Sequence, residues 1–441
     1  MTPILGVTAS QISGHLTPTA TPYFILYKRQ DLLGLSSQGF TSQGADVDSS
    51  GNIYELNGYD GITTYLTKYD SLGDVIFELG LDIINNPLYP LVCDAAGNSY
   101  IVASVYNQPN WIQLIKYSST GVLQWTRTLI GVGTYAGGNY VNVDTSGNVY
   151  VAAYFWNTSN GGVGLIAKYN SSGALQWQRS ISDQNPAAGQ STSCQAIATD
   201  SALNVYTTGY YTRTGTAYSF NIFIAKYNSS GVLQWQRFLQ DPVTNGQGMQ
   251  PYSIVVDSSS NVYILSAGNT TSIIAKYNTS GALQWQRSIS EFAPRSMTID
   301  SSSNIYLTGI SFFDAVTNHV IKYNTSGVLQ WQRSLVPSNT LNVNVIKHDT
   351  STNLYLSGWF RNTSMGAHSL FGKFPDDGTR TQNIVFPMAN INYSTSSLSE
   401  AAGNLTSGTS TLVSATSTLT NNTSITVTET SGSGIHERIY I

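Results

Sequence analysis

Charge is what this chain has least of. Asp, Glu, Lys and Arg make up 10% of its 441 residues, against about a quarter in an average soluble protein. The net charge is −4 and the 20 basic residues are scattered, so the clustered Lys and Arg of a nucleic-acid footprint are missing. Cysteine is nearly absent. Cys93 and Cys194 are read as equivalent places ahead of the turn in two different repeats, so two buried thiols are expected rather than a bridge. No stretch approaches the roughly 20 apolar residues of a membrane span. Residues 1–11 lack a basic start and a sustained apolar run, so no secretion signal is expected.

Chemistry-bearing patterns are equally thin. The five histidines, His15, His319, His348, His368 and His436, have no partner at HExxH or CxxC spacing. They are read as surface or strand residues. No GxSxG elbow or phosphate-cradling loop occurs, and carboxylates outside the turns are too scattered to nominate an acid–base pair. The expectation is therefore no catalytic residue, no metal and no cofactor. Asp-x-Ser-Gly-Asn at Asp48 is similar to part of a calcium loop, but no Glu follows in register and the motif recurs at every turn of its kind. A hairpin turn is the reading adopted.

What the chain has instead is copies of itself. KYSSTGVLQWTR from Lys116 returns as KYNSSGALQWQR from Lys168, KYNSSGVLQWQR from Lys226, KYNTSGALQWQR from Lys276 and KYNTSGVLQWQR from Lys322. Between these runs a second motif, Asp-x-x-x-Asn-x-Tyr. It starts at Asp48, Asp94, Asp144, Asp200, Asp257, Asp300 and Asp349. Its tyrosines are 46, 50, 56, 57, 43 and 49 residues apart, which a fixed core with variable inserts explains. Each unit reads as four short alternating strands joined by Ser, Asn and Gly turns. Four-stranded units of this length are the signature of propeller blades. One open sheet of so many strands is implausible, whereas a closed ring removes most of the exposed edges.

Lys-Tyr, a Ser-Gly turn, Leu-x-Trp and Asp-x-x-Gly-Asn-x-Tyr together resemble the bacterial seven-bladed β-propeller repeat family, over residues 23–386. The resemblance implies an all-β propeller, most simply of seven four-stranded blades, with eight as the alternative. It implies little about function. Trp125, Trp177, Trp235, Trp285 and Trp331 share one strand position and are expected to be buried between blades, each removing about 200 Å² of apolar surface. Phe77 and Gln382 stand at that place in the first and last units. Residues 23–29 resemble a spare strand that would latch the ring by joining the last blade. An eighth blade completed around Ile384 to Tyr393 is the competing account.

The ends read differently. Residues 1–21 form an arm in which GVTASQISGHL resembles the opening of tailed-phage structural (tail) proteins. Residues 22–387 are the propeller. Residues 388–441 are rich in Ser, Thr and Asn, with Leu398, Leu405, Leu412 and Leu419 seven apart, a heptad seam expected to join chains into a homo-oligomer. Alternating strand direction puts A–B and C–D turns on one rim and B–C and D–A loops on the other. The second rim carries Trp111, Trp156, Tyr210, Tyr211, Tyr218 and Trp359, with Phe312 and Phe313. These are candidate ligand-binding residues on variable loops.

The composition, usual for extracellular or virion proteins, joins the tail-like opening to give the leading expectation. This is a non-enzymatic virion protein of a phage tail: a fibre, nozzle or receptor-binding component. Its partners would be other virion proteins and a host surface glycan. A bacterial surface or secreted lectin-like propeller is the alternative. A polysaccharide-active enzyme would need a charged cluster at the central channel.

Overall fold

In the computed structural model the described residues are 24–29, most of 41–379, and a series of strands between 382 and 440. The gaps inside 41–379 fall in B–C and D–A connections. No helix occurs among the described residues. Seven antiparallel sheets stand in a ring as a β-propeller, and we number the blades I–VII in chain order. Blade IV shows the plan. Thr192–Thr199, Val205–Thr212, Phe220–Tyr227 and Leu233–Gln240 form strands A to D, from inside to outside. Blades I, II, III, V and VI repeat it over 41–81, 91–130, 135–182, 250–290 and 292–337.

Blade VII takes only three strands from its own stretch: Thr340–His348, Asn353–Asn362 and Gly366–Pro375. Its fourth is Phe24–Arg29, with Ile25 opposite Gly372 and Lys28 opposite Ser369. The amino-terminal strand thus latches the ring at seven blades. Gln382 accordingly has no Trp-like place in blade VII. Strand Gln382–Val385 instead pairs with Asn390–Thr395, which lies on the outer edge of blade VI, so no eighth blade forms there.

The carboxyl-terminal stretch is not a separate unit. Asn390–Thr395 adds a fifth strand to blade VI, Glu400–Ala402 to V, Thr406–Thr409 to IV and Val413–Thr416 to III. Thr420–Asn422 continues on blade II, Glu429–Ser431 on I, and Ile435–Tyr440 on VII, against Phe24–Arg29. The chain retraces the ring as a belt of seven outer strands. Its register explains the seven-residue period. Arg333, Arg287, Arg237 and Arg179 pair with Thr395, Ala402, Thr409 and Thr416, each seven further on. Leu398, Leu405, Leu412 and Leu419 fall between belt strands, outside the described residues. The period observed is that of the ring.

Core side chains lie between neighbouring sheets. Tyr206, Ile222, Ile224 and Leu239 of blade IV pack against Ile254, Val262, Ile264 and Tyr277 of blade V, and each junction has its own such cluster. The two cysteines are free and buried. They are not equivalent, since Cys93 directly precedes its turn aspartate and Cys194 stands six residues before Asp200.

A chain ending at Thr395 would expose the outer edges of blades I to V and of the latch strand in blade VII, each now paired. We expect it to keep its β-type circular dichroism but to self-associate in gel filtration, because unpaired edges template pairing between chains.

Candidate functional site

The rim of A–B and C–D turns is built from the repeated motifs, and their job there is internal. In blade IV, Asp200 Oδ1 accepts from the backbone N–H groups of Ala202 and Asn204 at 3.0 and 2.8 Å. Its Oδ2 accepts from Asn204 Nδ2 at 2.8 Å and Tyr206 Oη at 3.0 Å. The carboxylate closes the turn and anchors the tyrosine, as the hairpin reading of the motif expects. Burial alone would raise the Asp200 pKa, but Asn204 and Tyr206 hold it below the usual carboxylate value. Burial and the adjacent Asp200 push the Tyr206 phenol up. It stays a neutral donor.

From that anchor the blade grips its neighbour. Lys226 Nζ lies 5.0 Å from the Tyr206 ring centroid and reaches Thr279 O of blade V at 3.4 Å. Trp235 Nε1 donates to the same carbonyl at 2.9 Å. Arg237 donates to Gly281 O at 2.8 Å and Ser280 O at 3.2 Å. Gly281 has φ +76°, and a Cβ there would lie 2.7 Å from Trp235 Cδ2. Only glycine serves both the left-handed turn and the indole resting on it. Trp125, Trp177 and Trp285 donate to Ser171, Ser229 and Thr325 of the next blade at 3.2, 3.0 and 3.1 Å. Trp331 rests on Gly378, and Phe77 takes the place on Gly121.

The five tryptophans do occupy equivalent junctions, yet they are half-buried. The fully buried large side chains are tyrosines, two in each of blades I to VI. Strand D is the fourth from the axis, so its indole covers a turn instead of filling the core. Between blades IV and V this leaves a groove of about 700 Å³ lined by Asn204, Lys226, Gln234, Trp235, Arg237 and Ser280.

At the ring's centre the structure adds what the sequence reading missed. Lys347 Nζ and Asp46 Oδ1 are 3.1 Å apart, joining blades VII and I, and Asp46 Oδ2 accepts from Cys93 N at 2.8 Å. Burial would lower the Lys347 pKa, but Asp46 more than offsets it and keeps the ammonium charged. Burial and Asp46 push the Cys93 thiol well up. Tyr140 of blade III packs against the clusters of blades IV–V and of blades VII–I, so its ring crosses the channel. The charged pair is internally matched.

The opposite rim holds the aromatic candidates. Trp111, Trp156, Tyr210, Tyr211 and Trp359 sit at strand ends rather than on loops, all half-buried, on blades II, III, IV and VII. They are spread over four blades. Tyr218 lies outside the described residues. Trp156 packs on Gly162, and Tyr211 packs against the cluster between blades III and IV. Phe313 is 78% exposed and Phe312 36%. Tyr135, 41% exposed, stands 5.9 Å from Tyr154 at this rim and was not singled out from sequence. It lies between the repeated motifs, so periodicity gave no signal for it.

One further group comes together from three distant segments. Asp300, His348 and Asp376 place a donor atom each within 4.8 Å of one another at the junction of blades VI and VII.

No family model matches the chain, and no curated protein matches it. The solved structures it resembles do so at low identity. A Lactobacillus plantarum protein is 13% identical, covering 70% of this chain and 94% of its own, with TM-score 0.47. The Dos1 propeller is 9% identical over 78% and 80%, with TM-score 0.46. The Nup133 β-propeller domain of Vanderwaltozyma polyspora is 9% identical over 80% and 99%, with TM-score 0.45.

Two outcomes follow from the buried groups. Asp200→Ala removes the acceptor of four donors and should cost about 3 kcal/mol in urea denaturation. His319 is held down to about 4 by burial, with Asp314 opposing. Its folded value lies below the unfolded one, so the unfolded chain binds the proton more readily. Stability should fall as pH drops from about 6.5 to 4, by about 3 kcal/mol. His319→Phe, the residue at the equivalent place in blade IV, should flatten that limb of the curve.

Proposed function

We propose that the chain is a non-enzymatic recognition and assembly module of a phage tail. In this reading the rim of B–C and D–A connections faces a host surface glycan. The observation that carries the reading is the contrast between rims. On one, the repeated Asp, Tyr, Lys, Trp and Arg side chains are engaged in turns and blade junctions. On the other, Tyr135 and Phe313 present open aromatic surface, beside the half-exposed Trp111, Trp156, Tyr210, Tyr211 and Trp359. Exposed rings on a rigid scaffold suit stacking against sugar faces, with Asn, Gln and Ser to bond the hydroxyls.

The matched Asp46–Lys347 pair in the channel favours this reading over a polysaccharide-active enzyme. Several copies in one virion would raise a modest single-site affinity by avidity. The belt uses the carboxyl-terminal stretch within one chain, so the homo-oligomer and virion partners of this reading call for another surface.

Tyr135→Ala combined with Phe313→Ala should leave the melting temperature unchanged and weaken adsorption to host cells, or retention on immobilised host glycan, at least about tenfold. Ser50→Ala with Ser259→Ala, on the opposite rim, should change neither. Full adsorption by the first variant with loss in the second would reverse the binding rim. Adsorption unaffected by glycan removal from the host would point to a protein partner.

A further inference from the structure

The junction of blades VI and VII departs from the others in two residues at once. The last residue of strand A is Val47, Cys93, Val143, Thr199, Val256 and Ile299 in blades I to VI, and His348 in blade VII. The C–D turn places Ser171, Ser229, Thr279 and Thr325 where blade VII has Asp376. Both new side chains face Asp300, the turn aspartate of blade VI.

The hydrogen bonds around this group are one cation short. His348 Nδ1 meets the carbonyl oxygen of Asp349, so that nitrogen carries the proton and donates. In a neutral imidazole Nε2 then bears a lone pair, and it points at Asp376 Oδ2, 3.0 Å away. Two acceptors face each other there. Tyr306 Oη lies 3.0 Å from Asp300 Oδ2 and 2.9 Å from Asp376 Oδ2, and its single proton serves only one of the two carboxylates. Asp300 keeps its turn donors from Ser302, Asn304 N and Asn304 Nδ2. Lys322 Nζ is directed to the Asp376 carbonyl at 3.4 Å and to the Tyr306 ring. The Asp349 carboxylate is held by its own turn.

We propose that Asp300, His348 and Asp376 bind a divalent transition metal ion such as Zn²⁺ that clips blade VII to blade VI. A dication neutralises both carboxylates while the imidazole stays neutral. An imidazole nitrogen with two carboxylate oxygens suits Zn²⁺ or Mn²⁺ better than Ca²⁺ or Mg²⁺, which prefer oxygen-only shells. A ligating histidine that donates its other ring nitrogen to a backbone carbonyl has its tautomer fixed for metal binding. Metal bonds of about 2.0–2.2 Å put tetrahedral donors about 3.3–3.6 Å apart, a few tenths more than the 3.0 Å between His348 and Asp376. All three donors lie within 4.8 Å of one another, so the third need draw in by no more than about 1.5 Å. Water would complete the shell, since the three residues supply fewer than the usual four ligands. The site sits one junction from the seam, on the blade that the amino-terminal strand completes.

The test uses the untagged full chain, stripped with chelator and titrated with ZnCl₂, MnCl₂, MgCl₂ or CaCl₂ by calorimetry, with melting temperature followed in parallel. His348→Val and Asp376→Thr restore residues that other junctions already use, so both variants should fold. We expect one Zn²⁺ per chain at micromolar affinity, a raised melting temperature, weaker Mg²⁺ and Ca²⁺ binding, and at least about tenfold loss in each variant. Absence of Zn²⁺ and Mn²⁺ binding to the stripped wild-type chain overturns the proposal. Equal Zn²⁺ binding by wild type and both variants overturns it as well, because the ion would then sit elsewhere.

Discussion

A buried turn carboxylate is the constraint on which the repeat depends. Each Asp-x-x-x-Asn-x-Tyr aspartate accepts both from backbone amides of its own turn and from the tyrosine that begins strand B. A carboxylate so placed is stable only when its oxygens are matched. Once matched, it fixes the tyrosine ring, and the ring seats the lysine of strand C. That lysine, with the Trp and Arg of strand D, then reaches the next blade's turn. The most repeated residues of the chain are therefore contacts between blades. Repetition here signals a geometry imposed at every junction, and it marks no ligand.

A ring made this way still has two problems, closure and edges. The amino-terminal strand solves the first by completing blade VII. The belt solves the second by pairing every strand that would otherwise be outermost, and it ends against the latch strand itself. The two ends of the chain thus meet at the seam, and the departures at His348 and Asp376 fall one junction away. The low charge of the chain fits this economy, since paired edges need fewer charged side chains to discourage association.

Much of the fold was legible because strand period, turn chemistry and copy number all agreed. The seven Asp-x-x-x-Asn-x-Tyr motifs gave the blades, and the spare strand at residues 23–29 gave the latch. The belt was not legible. Leu398, Leu405, Leu412 and Leu419 have the period of a coiled coil, and a sequence does not distinguish seven residues per two helical turns from seven per blade. The Trp burial was overstated because position along a strand says nothing about distance from the axis. Site features were least legible: Asp46 with Lys347, and Asp300 with His348 and Asp376, lie far apart in the chain and meet only through ring topology. The aromatic rim was half legible, since Phe313 stood out and Tyr135 did not.

The claim that the repeated residues act between blades is tested most directly by native-state hydrogen exchange on the Trp235→Ala chain. Trp235 belongs to blade IV, while its partners Thr279 and Gly281 belong to blade V, 44 and 46 residues further on. The account predicts faster exchange at the Gly281 and Ala282 amides, which bond to Asn278 within that turn, as well as in strand D of blade IV. The equivalent amides of blade II should stay unchanged. Exchange altered within blade IV alone, with the blade V turn as protected as before, would contradict it.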